Sequence, residues 1–322
     1  MCQVVGNSVS VNQLRDDNSP FLCFYLQDRR GWMSQPQEDR DAKPGLPIGV
    51  FDSGLGGLTV VRALRKQLPN ESILYFGDTA RVPYGPKSSE TIRRFTREIT
   101  RFLNRQGVKM IVVACNTCTA TALECVAWEF DGPILGVIEP GVRAALSRTR
   151  NRRVGVIGTL ATINSAAYER LLAEKLPGVC VYSTACPLFV PLAEERMENH
   201  QAARLIAQDY LKPLLDQGID TLILGCTHYP LLRDTIQQVV GPEVSVVDSA
   251  ESTAEYVAAL LEEKQLTAPA GSHPMFRYFV SDDPAGLERF FHRLMPLDSC
   301  WVGTAQPDQI EPEASLRNST CL

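Results

Sequence analysis

The sequence predicts an α/β protein of two pseudo-symmetric three-layer domains, with mostly parallel sheets and the active site in the cleft between them. From residue 47 onward, short apolar runs alternate regularly with segments of helical period. In addition, two segments nearly repeat each other: residues 112–117 read VVACNT and residues 223–228 read ILGCTH. In each, an apolar run ends at a cysteine, which places that thiol at the carboxyl end of a parallel strand, where α/β proteins bind ligands.

The elements follow from the apolar pattern, taken in order along the chain. Runs rich in Val, Ile and Leu predict strands at 48–51, 73–76, 110–114, 134–138, 154–157, 179–183, 221–225, 244–247 and 275–280. Apolar residues at three- and four-residue intervals predict helices at 58–68, 92–102, 141–146, 165–176, 201–216, 251–263 and 284–295. Strands separated by helices imply parallel sheets joined by right-handed crossovers.

The domain organisation follows from where this alternation starts, restarts and stops. Residues 1–46 are polar and without a sustained period, which predicts a poorly ordered extension. We expect a first domain from 47–140 plus 248–296 and a second domain from 141–247. Residues 297–322 are again polar and predict an irregular tail.

Composition excludes several classes of function. A net charge of −5 argues against a nucleic-acid partner, which requires clustered Lys and Arg. Ten cysteines in 322 residues are too sparse for a disulfide-stapled secreted scaffold. No apolar stretch approaches the ~20 residues of a membrane span, so we expect no membrane association and a cytoplasmic protein.

The paired cysteines, Cys115 and Cys226, carry the chemistry that the sequence predicts. A free thiol titrates near ~8.5, and a helix N-terminus or a cationic neighbour favours its thiolate. His228 lies two residues after Cys226 and can act as that neighbour, while Asp52 ends the first strand and can orient groups around Cys115. Two thiols on opposite walls of a cleft suit a reaction in which a proton leaves one face of a carbon and returns to the other.

Other interpretations of these motifs compete with this one. Cys115 and Cys118 have the C-x-x-C spacing of redox sites, but that role leaves Cys226 unexplained. Gly54 and Gly56 could begin a dinucleotide fingerprint, but its third glycine position is Thr59. Four histidines and no second C-x-x-C argue against a zinc site, so we expect no metal.

Several ordered motifs together resemble the glutamate racemases, which belong to the cofactor-independent amino-acid racemases. They are FDSGLGGLTV at 51–60, VPYG at 82–85, ACNT at 114–117 and LGCTHYPLL at 224–232, with GVIEPG at 136–141 and CPLFVPL at 186–192. The similarity runs from about residue 48 to 282. The chain departs from the family pattern at Cys118, where alanine is usual, and at Ala193, where valine is common.

The resemblance implies interconversion of L- and D-glutamate without a cofactor, supplying D-glutamate for peptidoglycan, in a protein that is often a homodimer. Cys115 would take the α-proton from D-glutamate and Cys226 from L-glutamate, with Asp52, His228 and Glu194 assisting them. The resemblance also implies a set of substrate-binding residues, which comprises Asp52, Ser53, Tyr84, Gly85, Asn116, Thr117, Thr227 and His228. Two alternatives remain open: a racemase for aspartate or another amino acid, and a non-catalytic binding or inhibitory protein of this fold.

Overall fold

The computed structural model describes residues 43–295 and 301–307, and within them the chain forms parallel strands alternating with helices. The strands are β1 (Ile48–Asp52), β2 (Ile73–Gly77), β3 (Met110–Val113), β4 (Ile134–Gly136), β5 (Arg153–Gly158), β6 (Cys180–Ala185), β7 (Thr221–Gly225), β8 (Ser245–Asp248), β9 (Phe276–Val280) and β10 (Trp301–Thr304).

The helices lie between these strands. They are α1 (Leu58–Gln67), α2 (Ser89–Arg105), α3 (Asn116–Val126), α4 (Ile138–Leu146), α5 (Leu160–Asn164), α6 (Ala167–Lys175), α7 (Phe189–Glu194), α8 (Gln201–Leu215), α9 (Arg233–Val240), α10 (Ser249–Glu263) and α11 (Pro284–Leu294). Short 3-10 turns cover Lys43–Gly45, Thr79–Arg81 and Tyr229–Leu232.

The strands form two separate parallel sheets. The first has the order β10-β9-β2-β1-β3-β4 and the second the order β6-β5-β7-β8. Every pairing is parallel, as the interleaved helices predict. The predicted α/β class with mostly parallel sheets is confirmed, whereas the predicted domain boundaries stay a prediction.

Each sheet is covered on both faces, because successive strand residues point to opposite sides. In the first sheet Val50 and Val112 pack into one buried cluster, and their neighbours Phe51 and Val113 pack into the cluster on the other face. The second sheet divides its apolar side chains between two clusters in the same way. Helix α10 packs against both α1 and α4.

The C-terminal tail is partly regular, so the prediction of an irregular tail is wrong at Trp301–Thr304. This segment pairs in parallel with β9 as an edge strand, and the Trp301 ring contacts Phe279 with 4.8 Å between centroids. A half-buried run of four residues has too weak a local pattern to predict, because its stability comes from the strand beside it. Residues 1–42, most of the predicted N-terminal extension, lie outside the described residues.

Smaller corrections concern element boundaries. The fourth strand ends at Gly136 rather than at residue 138, and α4 begins at Ile138, two residues before Pro140. A proline is tolerated in a first helical turn because the N–H groups there have no intrahelical partner. Three shorter helices, α5, α7 and α9, were not predicted from the apolar pattern. Within the described residues, no helix is both long and apolar enough to cross a membrane.

Candidate active site

The first half of the site lies where two neighbouring strands end. Because β1 pairs with β3, Asp52 at the end of β1 lies beside the chain that leads to Cys115. The Ala114 N–H donates to the Phe51 carbonyl at 2.9 Å and continues the ladder to this point. The Cys115 sulfur lies 3.5 Å from Ser53 Oγ, so three residues predicted to act together are in one place.

Cys115 is the N-cap of α3, which gives its sulfur backbone and side-chain donors. Burial by itself raises the pKa of this thiol, and Asp52 raises it further. The hydrogen bonds from the Cys118 thiol, the Ser53 hydroxyl and the Cys118 N–H outweigh both and hold the pKa of Cys115 below its ordinary value. The Cys118 N–H lies 3.4 Å from the sulfur. The first turn of α3 thus supplies two of these donors, the thiol and the N–H of Cys118.

Cys226 lies at the equivalent point of the second sheet but has a different environment. It follows β7, yet the chain continues into a 3-10 turn, Tyr229–Leu232, instead of a full α-helix. Pro230 lies in the first positions of that turn. The neighbour of the Cys226 sulfur is His228, whose Nδ1 lies 3.9 Å away. The two thiols are therefore supported differently, one by a helix and the other by an imidazole.

His228 connects Cys226 to a carboxylate. Its Nε2 lies 3.0 Å from Glu194 Oε1, and Glu194 ends α7. Burial by itself lowers the pKa of His228, but hydrogen bonds and charge interactions with Cys226 and Glu194 raise it well above its ordinary value. His228 is therefore a cation between the Glu194 carboxylate and the Cys226 sulfur.

Asp52 joins the two halves of the site. Thr227, which follows Cys226, donates its hydroxyl to Asp52 Oδ1 at 3.2 Å, and the Gly54 N–H donates to Oδ2 at 3.0 Å. Burial raises the pKa of Asp52, against the charge of His228 and these hydrogen bonds. The carboxyl group therefore interacts with the charges of both Cys115 and His228.

Close backbone approach makes this connection possible at Gly56. A Cβ at Gly56 would lie 2.5 Å from Thr227 Oγ1 and 2.6 Å from His228 Nδ1, inside van der Waals contact. The Thr59 hydroxyl also donates to the Thr227 carbonyl at 3.2 Å. The glycine-rich turn after β1 therefore packs directly on the segment that carries Cys226.

Three further predicted binding residues contact different parts of the protein. The hydroxyl of Thr117 lies 2.9 Å from Thr159 Oγ1, and the Gly85 carbonyl accepts the Ala161 N–H at 3.1 Å, so both contact the start of α5, which follows β5 of the second sheet. Tyr84 is buried, and its hydroxyl donates to the Asp78 carboxylate. Its hydroxyl is thus engaged by a carboxylate of the protein.

Sequence reasoning missed polar residues that lie beside the predicted ones. Thr159 and Thr162 form a hydroxyl cluster with Thr117, with separations of 2.9–3.3 Å. The signal was available for Thr159, because it directly follows β5, the strand beside β7. Tyr168 on α6, whose hydroxyl bonds to Asn116, had no such signal.

Comparison with known proteins identifies the class to which this fold and site belong. A family model described as Asp/Glu/hydantoin racemase matches residues 48–257. The chain belongs to this family and is an isomerase of the amino-acid racemase class.

Individual relatives point to one group within this class, the glutamate racemases. The glutamate racemase of Syntrophus aciditrophicus is 53% identical over 254 residues, which cover 78% of this chain and 94% of the relative. The structure of glutamate racemase isoform RacE1 from Bacillus anthracis has a TM-score of 0.79 at 40% identity, covering 82% of this chain and 98% of that one. The Francisella tularensis glutamate racemase in complex with D-glutamate has a TM-score of 0.77 at 38% identity, covering 82% and 99%. The predicted resemblance to glutamate racemases is confirmed.

Proposed function

We propose that this protein interconverts L- and D-glutamate by a two-base transfer of the α-proton between Cys115 and Cys226. The observation that carries the proposal is the connection between the two cysteine segments. The Cys115 sulfur hydrogen-bonds Ser53, and the residue before Ser53, Asp52, accepts a hydrogen bond from Thr227, which follows Cys226. Each thiol has its own polar neighbour, Ser53 beside Cys115 and His228 beside Cys226, so either can act as base while the other acts as acid.

The mechanism assigns one direction to each thiol. With D-glutamate, the Cys115 thiolate removes the α-proton and the Cys226 thiol donates a proton to the opposite face. With L-glutamate the roles reverse, so each turnover exchanges the protonation states of the two sulfurs. Asp52 assists Cys115, while His228, held by Glu194, assists Cys226.

Stabilising the charge that develops on the deprotonated substrate is the main difficulty. The α-proton of an amino acid is a weak acid, so donors fixed in advance around the developing charge have to lower the barrier. We assign that role, together with binding of the substrate carboxylates and amine, to the hydroxyl, amide and backbone groups around the thiols. They belong to Ser53, Gly85, Asn116, Thr117 and Thr227, and we keep Tyr84, Asp52 and His228 in the proposed binding set.

Glutamate is favoured over other substrates by the relatives. The Francisella tularensis enzyme, similar to this chain along nearly its whole length, is in complex with D-glutamate. From the family resemblance we also propose cofactor-independent catalysis, a homodimer, a cytoplasmic location and supply of D-glutamate for peptidoglycan.

Circular dichroism of the substrate tests the proposed reaction. We expect the ellipticity of either L- or D-glutamate to decay to zero with the purified protein. Aspartate, one methylene shorter, is expected to react about 10- to 200-fold more slowly in kcat/KM, the usual discrimination for one such group. Faster loss of aspartate ellipticity would favour an aspartate racemase. Tight glutamate binding without loss of ellipticity would favour a non-catalytic binding protein.

A further inference from the structure

Tyr168 contacts both cysteine segments, although it is distant from each of them in sequence. Its hydroxyl donates to Asn116 Oδ1 at 2.7 Å, and Asn116 directly follows Cys115. Its ring packs on Gly225, directly before Cys226: a Cβ there would lie 3.1 Å from Tyr168 Cε2. Tyr168 therefore spans the distance between the two segments as a single rigid side chain.

Both partners in this hydrogen bond are removed from solvent. Tyr168 is 1% exposed and Asn116 is 2% exposed. Burial raises the pKa of Tyr168, and the charge of Cys226 raises it further, so the phenol stays protonated and acts as the donor. A donor on Oδ1 fixes the amide, which cannot turn over without losing this bond.

The other end of the same amide lacks a partner. Asn116 Nδ2 is buried and makes no hydrogen bond to any described residue. A buried N–H group without an acceptor is costly, so buried amides are nearly always paired. Asn116 lies at the N-terminus of α3 next to Cys115, so a carboxylate of a bound substrate is an acceptor of suitable charge at this point.

We propose that Tyr168 is a positioning residue for substrate binding, which holds the Asn116 amide so that its Nδ2 donates to a carboxylate of the substrate. This inference rests on the proposed function, because it takes glutamate as the ligand. It adds a residue that does not itself touch the substrate and acts through Asn116. The substitution Tyr168→Phe keeps the ring on Gly225 and removes only the hydroxyl.

A double-mutant cycle separates positioning from packing. We expect Tyr168→Phe to raise KM for D-glutamate about tenfold, as loss of a hydrogen bond to a charged group does, with a smaller change in kcat. In the Asn116→Ala background, Tyr168→Phe should change KM no further, because the amide that it positions is absent. Tyr182→Phe is the matched control, a buried tyrosine of β6 in the second sheet, and should leave KM unchanged.

Two results would overturn the inference: a wild-type KM in Tyr168→Phe, or an equal rise in KM with and without the Asn116 side chain. The same cycle measured as Kd for D-glutamate by calorimetry distinguishes this inference from the proposed function. If the wild type binds glutamate without racemising it, the proposed reaction fails while the coupling in Kd still decides the role of Tyr168. If the wild type does not bind glutamate, both proposals fail.

Discussion

Replacement of either Cys115 or Cys226 by alanine is expected to abolish racemisation, with kcat lowered at least about a thousandfold. Each thiol is both the base for one direction and the acid for the other, and a positioned acid or base contributes about 10²- to 10⁴-fold. Racemisation of both enantiomers, followed by circular dichroism, measures the effect.

For each variant, the loss in kcat/KM should be equal in the two directions. L- and D-glutamate are mirror images, so their equilibrium constant is one and kcat/KM must match in both directions. Cys125→Ala is the matched control, since Cys125 is a free, half-buried cysteine on the same helix, α3, as Cys118. A fully active Cys115→Ala or Cys226→Ala variant would remove that residue from the mechanism.

Substitution of Gly56 by alanine is expected to lower kcat/KM about a hundredfold while the protein still folds. The new methyl group would lie 2.5 Å from Thr227 Oγ1 and 2.6 Å from His228 Nδ1, so both side chains have to move. A displacement of about 1 Å at a reacting group can cost about 10²-fold in rate. Steady-state kinetics together with the far-UV spectrum measures both parts of this expectation.

Gly45→Ala is the control for Gly56→Ala. A Cβ at Gly45 would meet nothing within 4 Å, and the residue lies before β1, outside the site. Its kinetics should match the wild type. Wild-type activity in Gly56→Ala would show that the glycine turn does not set the position of His228 and Thr227.

The sequence predicts those parts of the site that lie at the carboxyl ends of strands. Carboxyl ends of parallel strands share one edge of a sheet, so placing Asp52 and Cys115 each at the end of a strand predicts the same edge for both. The pairing of β1 with β3, which the structure shows, makes them neighbours there. His228 was found because it is close to Cys226 in sequence. Glu194 was predicted from the family motif, and the structure gives the reason for its position in its contact with His228.

Contacts between elements distant in sequence could not be predicted in this way. Tyr168 and Asn116 are 52 residues apart and meet only because α6 packs near the first turn of α3. The edge strand Trp301–Thr304 escaped prediction because the strand beside it, and not its own pattern, stabilises it.

The central claim is that two thiols act on opposite faces of one carbon. Its most direct test is the conversion of L-glutamate by the wild-type protein in deuterium oxide. At early times the two enantiomers are separated, and the deuterium content of each is measured by mass spectrometry. We predict D-glutamate with deuterium at Cα, because Cys115 donates a deuteron that it has exchanged with the solvent, while the remaining L-glutamate keeps its original hydrogen. D-Glutamate that retains the substrate hydrogen, or L-glutamate that is labelled as fast as product forms, would contradict it.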